Sequence, residues 1–346
     1  MNQLLKDQQL AGHDVSVVYS SMRDDPEVLR VAFGPSINLI AWSVGREISV
    51  WQDVQAAQSL NRILHEISPD IVHLHCSKAG FVGRFVCRAR GLPAIYSPHG
   101  ISMLRRDISF FTRALYFVLE AAAALTGIPI VACSADELRS LRWLPADSLL
   151  FPNSVNVNEI TKGGTRVANG NTDVFRVAIC GRITVARAPE RIARIAASAP
   201  DGWEFWWIGD GEIRSVLDNS RVQILGWKSP DEVLHLLSQA DVLLHPSHWE
   251  GMSMAVLEAM SLRLPVVASD IVGNRALVQH GVTGFLVSDD AQYLPSLCKI
   301  ASDSQLRHTM GEAGQKRISD NFNALHISAK WRELYETIYS SANAAS

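Results

Sequence analysis

No run in this sequence is apolar for long enough to span a bilayer. The stretch "ALYFVLEAAAALTGIPIVA" comes nearest, but Glu120 interrupts it and Gly127-Ile128-Pro129 ends it. Cysteine is scarce. Cys76, Cys87, Cys133, Cys180 and Cys298 are scattered without a CxxC pair, which excludes a disulfide-rich scaffold and predicts a reducing, cytoplasmic setting. A surplus of one charge is missing too. With 32 Lys and Arg against 35 Asp and Glu, the formal net charge of −3 argues against a dedicated nucleic-acid binder. The opening "MNQLLKDQQLAGHDVSVVYS" lacks the apolar core and cleavage pattern of a signal peptide. There is neither an internal repeat nor a low-complexity tract.

What is present is a globular composition, 47% hydrophobic and 19% charged, on 346 residues, a length that predicts two domains. Short β-branched runs alternate with longer amphipathic stretches. "DVSVVY", "DIVHLH", "PAIYSP" and "IPIVAC" read as strands of a first half; "RVAIC", "EFWWIG", "VQILG", "DVLLHP" and "PVVAS" read as those of a second. The stretches Trp51 to Ile67 and Glu190 to Ala199 read as helices between them. Such alternation predicts α/β architecture: two doubly wound, Rossmann-like domains of parallel strands facing across a cleft, with ligands at the strands' carboxyl ends. The expected division is an N-terminal domain over 1–157, a Gly- and Asn-rich linker over 158–173, and a C-terminal domain over 174–323. A last helix follows over 324–346, expected to pack on either half.

One residue is out of place. From Met252 to Leu262 nearly every position is apolar, as in a helix buried all round, yet Glu258 sits in its middle. An unpaired buried carboxylate is costly, so a polar partner is required. Just upstream, "HWEGMSM" leaves a strand and enters that helix, whose free N–H groups and dipole make an anion site. Gly251 permits close backbone approach there, Ser253 adds a hydroxyl, and Glu250 would otherwise serve only the helix N-terminus. Eight helical residues would separate Glu250 from Glu258 by about 12 Å, beyond the roughly 5–9.5 Å of a glycosidase pair. Separate roles follow, with Glu258 suited to both hydroxyls of a ribose.

Arg182 and Arg187 in "CGRITVARAPERI" fall after a strand, where guanidinium groups suit phosphate. Gly209 and Gly211 in "WWIGDGEIR" mark another strand-to-helix turn, and "SPHGISMLRR" sets His99-Gly100 after a strand of the first half, where a structural histidine is the plainer reading. His73 with His75, and His245 with His248, have metal-like spacing, but neither pair has an obvious third ligand, so no metal is expected.

The E-x7-E motif of Glu250 and Glu258, with "GRITVAR", "IGDGE" and "PVVASDIVGNRALVQHGVTGFLV", resembles the family 4 retaining glycosyltransferases of GT-B fold. "VHLHCSKAGFVGRF" and "YSPHGISMLRRDIS" are similar to members that assemble bacterial surface polysaccharides. The resemblance implies transfer of a sugar from a UDP- or GDP-linked donor to a glycan or polyprenyl-diphosphate-linked acceptor, without metal or cofactor. Arg182 and Arg187 would hold the diphosphate, with Arg187-Ala188 where the family usually has lysine and glycine. Glu258 would take the ribose. Glu250 with Gly251, Met252, Ser253 and Met254 would hold the donor sugar, Gly209 would line the donor site, and His99 would face the transferred sugar. The resemblance also implies that a first strand and a glycine-rich loop, which the family carries before the helix corresponding to "LLKDQQLAG", are missing. A GT-B nucleotide-sugar epimerase and a catalytically silent donor-binding relic are the alternatives.

From Lys78 to Arg113 there are seven basic residues and one acidic, beside "ISFFTRALYFVL". Basic clusters next to apolar side chains favour anionic lipid, so peripheral attachment to the inner face of the membrane is expected, against the plainer reading of a solvated helix face.

Overall fold

The computed structural model describes residues 2–22, 25–45, 48–101, 108–163 and 174–344. In the first half the strands are β1 (Ser16–Ser20), β2 (Asn38–Trp42), β3 (Val72–His75), β4 (Ala94–Ser97), β5 (Ile130–Ala132) and β6 (Ser148–Leu150). The second half carries β7 (Phe175–Cys180), β8 (Trp203–Ile208), β9 (Val222–Ile224), β10 (Val242–His245), β11 (Val266–Ser269) and β12 (Gly284–Val287). All pairings between these strands are parallel. The nine strands expected from the β-branched runs are all present. β2, β6 and β12 are additional; "NLIAW", "SLL" and "GFLV" are too short to show a period.

The second half is one six-stranded sheet in the order β12-β11-β10-β7-β8-β9. The order reverses beside β7, so the crevice for a ligand opens between the carboxyl ends of β7 and β10. Its two faces are filled by separate apolar clusters, one around Leu243, Val256 and Leu257, the other around Val177, Phe205 and Trp207. The helix Pro230–Ser238 shows how local sequence sets a boundary: Ser229 and Glu232 form a reciprocal capping box before it.

The first half is split into a two-stranded sheet, β1-β2, and a four-stranded one, β3-β4-β5-β6. Both lean on one core, in which Val18 and Ile40 pack with Trp42, Leu64, Leu74 and Tyr96. Among the described residues β1 has no strand partner but β2, and β3 none but β4. Glu120, which interrupts the longest apolar run, lies in the helix Phe110–Ala124 and is held by buried Arg84 at 2.6 Å.

Residues 158–163 of the expected linker are not irregular. Val157–Gly163 is a helix, and Val155, Val157 and Ile160 join the core of the second half, because their apolar side chains find cover there. Residues 164–173 lie outside the described residues. The last helix, Ala324–Ala344, returns to the first half, where Ile327, Trp331 and Tyr335 pack on Ile95 and Val131. Their i, i+4, i+8 spacing forms one face, and each buried side chain contributes about 1.5–3 kcal/mol.

Candidate active site

Arg187 ends the 3-10 turn Val185–Arg187 that follows β7, and Glu250 lies in the loop after β10. The two strands are neighbours, and their carboxyl ends bring these residues into an ion pair at the topological switch point. Arg187 Nη1 also donates to His245 Nε2 at 2.9 Å and to Ser247 Oγ at 3.3 Å. A guanidinium only donates, so Nε2 of His245 is an acceptor and its proton sits on Nδ1. Burial lowers the His245 pKa, which keeps the ring neutral and the arrangement consistent. Burial alone would raise the Glu250 carboxyl, but the Arg187 charge outweighs it and holds the group below its usual range. Among the described residues, every side-chain bond of Arg187 runs through Nη1. Nε and Nη2 lie over Gly181, where an added Cβ would come within 3.1 Å of Nε. These donors are available for phosphate.

The helix carrying Glu258 begins later than the apolar run implied, at Met254, with Ser253 as its N-cap. Glu250 therefore precedes the helix, and the about 12 Å separation expected from eight helical residues does not apply. The reason lies at Gly251. A Cβ there would meet the carbonyl carbon and oxygen of His99, both at 2.8 Å, so the backbone spends these residues on an approach to the first half. Met252 is buried, and its carbonyl accepts from Asn153 Nδ2 at 3.0 Å. Ser253 Oγ is buried with no hydrogen-bond partner, and it caps nothing. Met254, partly exposed, is the first helical residue. The N–H groups that open this helix have no acceptor within it and are free to bind an anion.

Glu258 is half-buried, and its side chain makes no hydrogen bond or ion pair among the described residues. Burial raises its pKa from 4.5 to about 7. It lies close enough to the end of β7 to add to the burial that pushes the Cys180 thiol up to about 12. Among the described residues, the partner demanded by its position in the sequence is thus not supplied.

Arg182 stands apart from this group. It is 57% exposed, pairs loosely with Glu212 at 3.9 Å, and has its guanidinium 5.9 Å from the ring centroid of exposed Trp227. It makes no bond with Arg187 or Glu250 among the described residues. Gly209 fixes the wall between them: with φ +136 it donates to Gly226 O at 3.0 Å, and a Cβ there would lie 2.3 Å from Gly181 O. Ala188, at the position noted beside Arg187, has φ 53, a left-handed conformation suited to glycine.

His99 faces this site from the first half, exposed, with φ 53. His75, at the end of β3, approaches it, with Nδ1 2.8 Å from His99 Nε2. His73 is bonded instead to Ser97 Oγ and Tyr335 OH, each at 2.8 Å. His248 binds Glu190 at 2.9 Å. Among the described residues no three His, Cys, Asp or Glu side chains gather as metal ligands. Met103 to Arg106 of "SPHGISMLRR" lie outside the described residues.

His245, Ser247, Asn153 and Trp227 were not singled out as donor-site residues. His245 offered only its spacing from His248, and the rest lack any motif, because their places depend on which strands are adjacent.

Two family models divide the chain: a glycosyl transferase 4-like domain matches residues 1–153, and glycosyl transferases group 1 matches residues 176–303. Among similar proteins is an Escherichia coli UDP-Gal:alpha-D-GlcNAc-diphosphoundecaprenol alpha-1,3-galactosyltransferase, 28% identical over 84% of this chain and 81% of that protein. The Staphylococcus aureus capsular polysaccharide biosynthesis glycosyltransferase CapM is 24% identical over 85% of this chain and 82% of its own. The fold resembles that of sucrose-phosphate synthase from Thermosynechococcus elongatus, with TM-score 0.83 at 19% identity, covering 98% of this chain and 92% of that one. It also resembles Anabaena HepE in complex with UDP-glucose, with TM-score 0.77 at 19% identity, covering 97% and 96%. With both halves matched, and two parallel-stranded domains meeting at Gly251 and His99, the chain is a glycosyltransferase of GT-B fold.

Proposed function

We propose that this protein moves a sugar from a nucleotide-diphosphate sugar onto a glycan or polyprenyl-diphosphate-linked acceptor, with retention of anomeric configuration, in polysaccharide assembly. The observation that carries this reading is the grouping at the β7–β10 switch point. Arg187 with spare donors and a free helix N-terminus suit the diphosphate, Glu250 the sugar, and Glu258, unpartnered among the described residues, the ribose. The relatives' names support it: one is a UDP-galactose-dependent galactosyltransferase acting on a diphosphoundecaprenol-linked sugar, another a capsular polysaccharide enzyme.

In the step, the bond between the anomeric carbon and the diphosphate oxygen breaks, and the acceptor hydroxyl oxygen bonds to the same carbon on the same face. Its proton passes to the departing phosphate oxygen. Arg187 and the helix amides neutralise the diphosphate as charge develops on it. Glu250 and His99 orient the sugar from opposite sides of the cleft. Thermal shift across UDP-, GDP- and ADP-sugars tests the reading, since a true donor stabilises by mass action. No shift with any of them would sink it.

No described helix is long and apolar enough to cross a membrane. The helix Phe110–Ala124 leaves Phe110, Phe111, Leu115 and Val118 exposed, which supports attachment of this face to anionic lipid at the inner membrane surface. Arg105, Arg106 and Asp107 of the basic cluster lie outside the described residues. Flotation with anionic vesicles at low salt checks this, and the double change Phe110→Ser/Phe111→Ser should abolish it.

A further inference from the structure

His99, before Gly100, adopts a positive φ of 53 in a segment whose backbone lies against Gly251 of the second half. Conformations of this kind persist only where the surroundings hold them. Two side chains that the proposed chemistry does not use provide the hold. Glu137, 2% exposed in the helix Ala135–Leu141, accepts the Gly100 N–H on Oε1 at 3.1 Å. Its Oε2 accepts the Cys133 N–H at 2.7 Å and the Cys133 thiol at 2.9 Å. His75 provides the other, through its ring contact with His99 at 2.8 Å.

A capping role does explain part of this. Ser134 is the N-cap and accepts the Glu137 N–H at 3.1 Å. In a capping box the glutamate side chain returns to the N-cap N–H. Here one oxygen goes to Cys133, and the other leaves the helix for a residue 37 positions away. Burying a carboxylate for that purpose is costly unless the bonds it makes are needed in place. Of the two ring nitrogens of His99, Nε2 is engaged by His75. Nδ1 has no protein partner among the described residues, the residue is exposed, and its backbone carbonyl lies against Gly251, which adjoins Glu250.

We infer that Glu137 and His75 are positioning residues: by bonding the Gly100 amide and the His99 ring, they hold His99 Nδ1 toward the donor sugar. His75 also couples its tautomer to that of His99, because one of the two facing nitrogens must donate and the other accept. The inference rests on the proposed role of His99 at the donor sugar.

The test is a set of double-mutant cycles on the full chain. The probe is the nucleotide sugar giving the largest thermal shift with the wild type, and the readouts are its turnover and the affinity of its nucleoside diphosphate. Glu137→Gln and His75→Phe should each lower kcat roughly 10- to 100-fold, the scale of a misplaced reacting group. Diphosphate affinity should stay within about twofold, since the second half binds it. Ser134→Ala, which removes the cap alone, should lower Tm while keeping kcat. In a His99→Ala background neither Glu137→Gln nor His75→Phe should slow the enzyme further. Additive losses in that background, or wild-type kcat in both single variants, would overturn the inference while leaving the transferase reading standing. A fully active His99→Ala, or a wild type that no nucleotide sugar stabilises, would remove the proposed role of His99 and the inference with it. His75→Phe keeps the test decisive should Glu137→Gln fold poorly.

Discussion

Glu258 offers the sharpest test of the donor site. Its carboxyl is raised by burial from 4.5 to about 7 and has no side-chain partner among the described residues. Ribose hydroxyls donate, so they favour the ionised form, and nucleotide binding should pull the pKa back down. With a free-state pKa near 7 about one molecule in eleven is ionised at pH 6, and about ten in eleven at pH 8. Wild-type affinity for a nucleoside diphosphate should therefore be about tenfold weaker at pH 6 than at pH 8 on account of this group. The phosphate ionises near pH 6 as well, but it does so equally for any variant. Glu258→Gln isolates the carboxylate: at pH 8 it should lose about 1–3 kcal/mol of binding, and at pH 6 much less.

Stability carries the same signature. A raised carboxyl pKa means the unfolded chain ionises first, so this group costs nothing below about pH 4.5 and its full penalty appears above about pH 7. The penalty is at most about 3.4 kcal/mol, from about 2.5 pKa steps of about 1.36 kcal/mol each. His73, lowered by burial to about 3, slopes the other way as pH falls below 6.5, so the comparison is wild type against variant. Calorimetry and thermal melts from pH 5 to 8 supply both readouts. Equal affinities for the two proteins at pH 8, or parallel stability profiles, would refute the reasoning.

The remaining predictions concern the loops around that helix. Arg187→Ala should weaken nucleoside diphosphate binding at least tenfold more than nucleoside binding, because its free donors suit phosphate; equal losses by calorimetry would mean that it acts through packing. The same change leaves the Glu250 carboxylate without its cation, so Tm should fall, whereas the double change with Glu250→Gln should recover part of the loss. Ala188→Gly should be neutral or stabilising by up to about 1 kcal/mol, because relief of left-handed strain offsets the added chain entropy; a loss beyond that in chemical denaturation would contradict the strain argument.

The sequence alone determined the alternation of strands and helices, because period and turn residues are local properties. "RVAIC" and "EFWWIG" became the neighbours β7 and β8. Glu258 was legible for the same reason: a carboxylate in an apolar helix violates a local rule wherever the helix is placed. The two glutamates and Arg187 could likewise be named from the chain, since their spacing within short motifs survives without any contact. Only the tertiary structure decided how they meet. That Arg187 pairs with Glu250 depends on β7 lying beside β10, a pairing across 60 residues that no window of sequence contains. Arg182, five positions from Arg187 and read as its equal, turned outward toward Trp227 because a turn separates them. Glu137, which no sequence motif marks, became the tether of Gly100, since one carboxylate oxygen reaches a loop brought near by folding. The helical start of the linker was hidden for the converse reason. Val157 and Ile160 are too few to show a period, and it is the core of the second half, covering them, that makes them a helix.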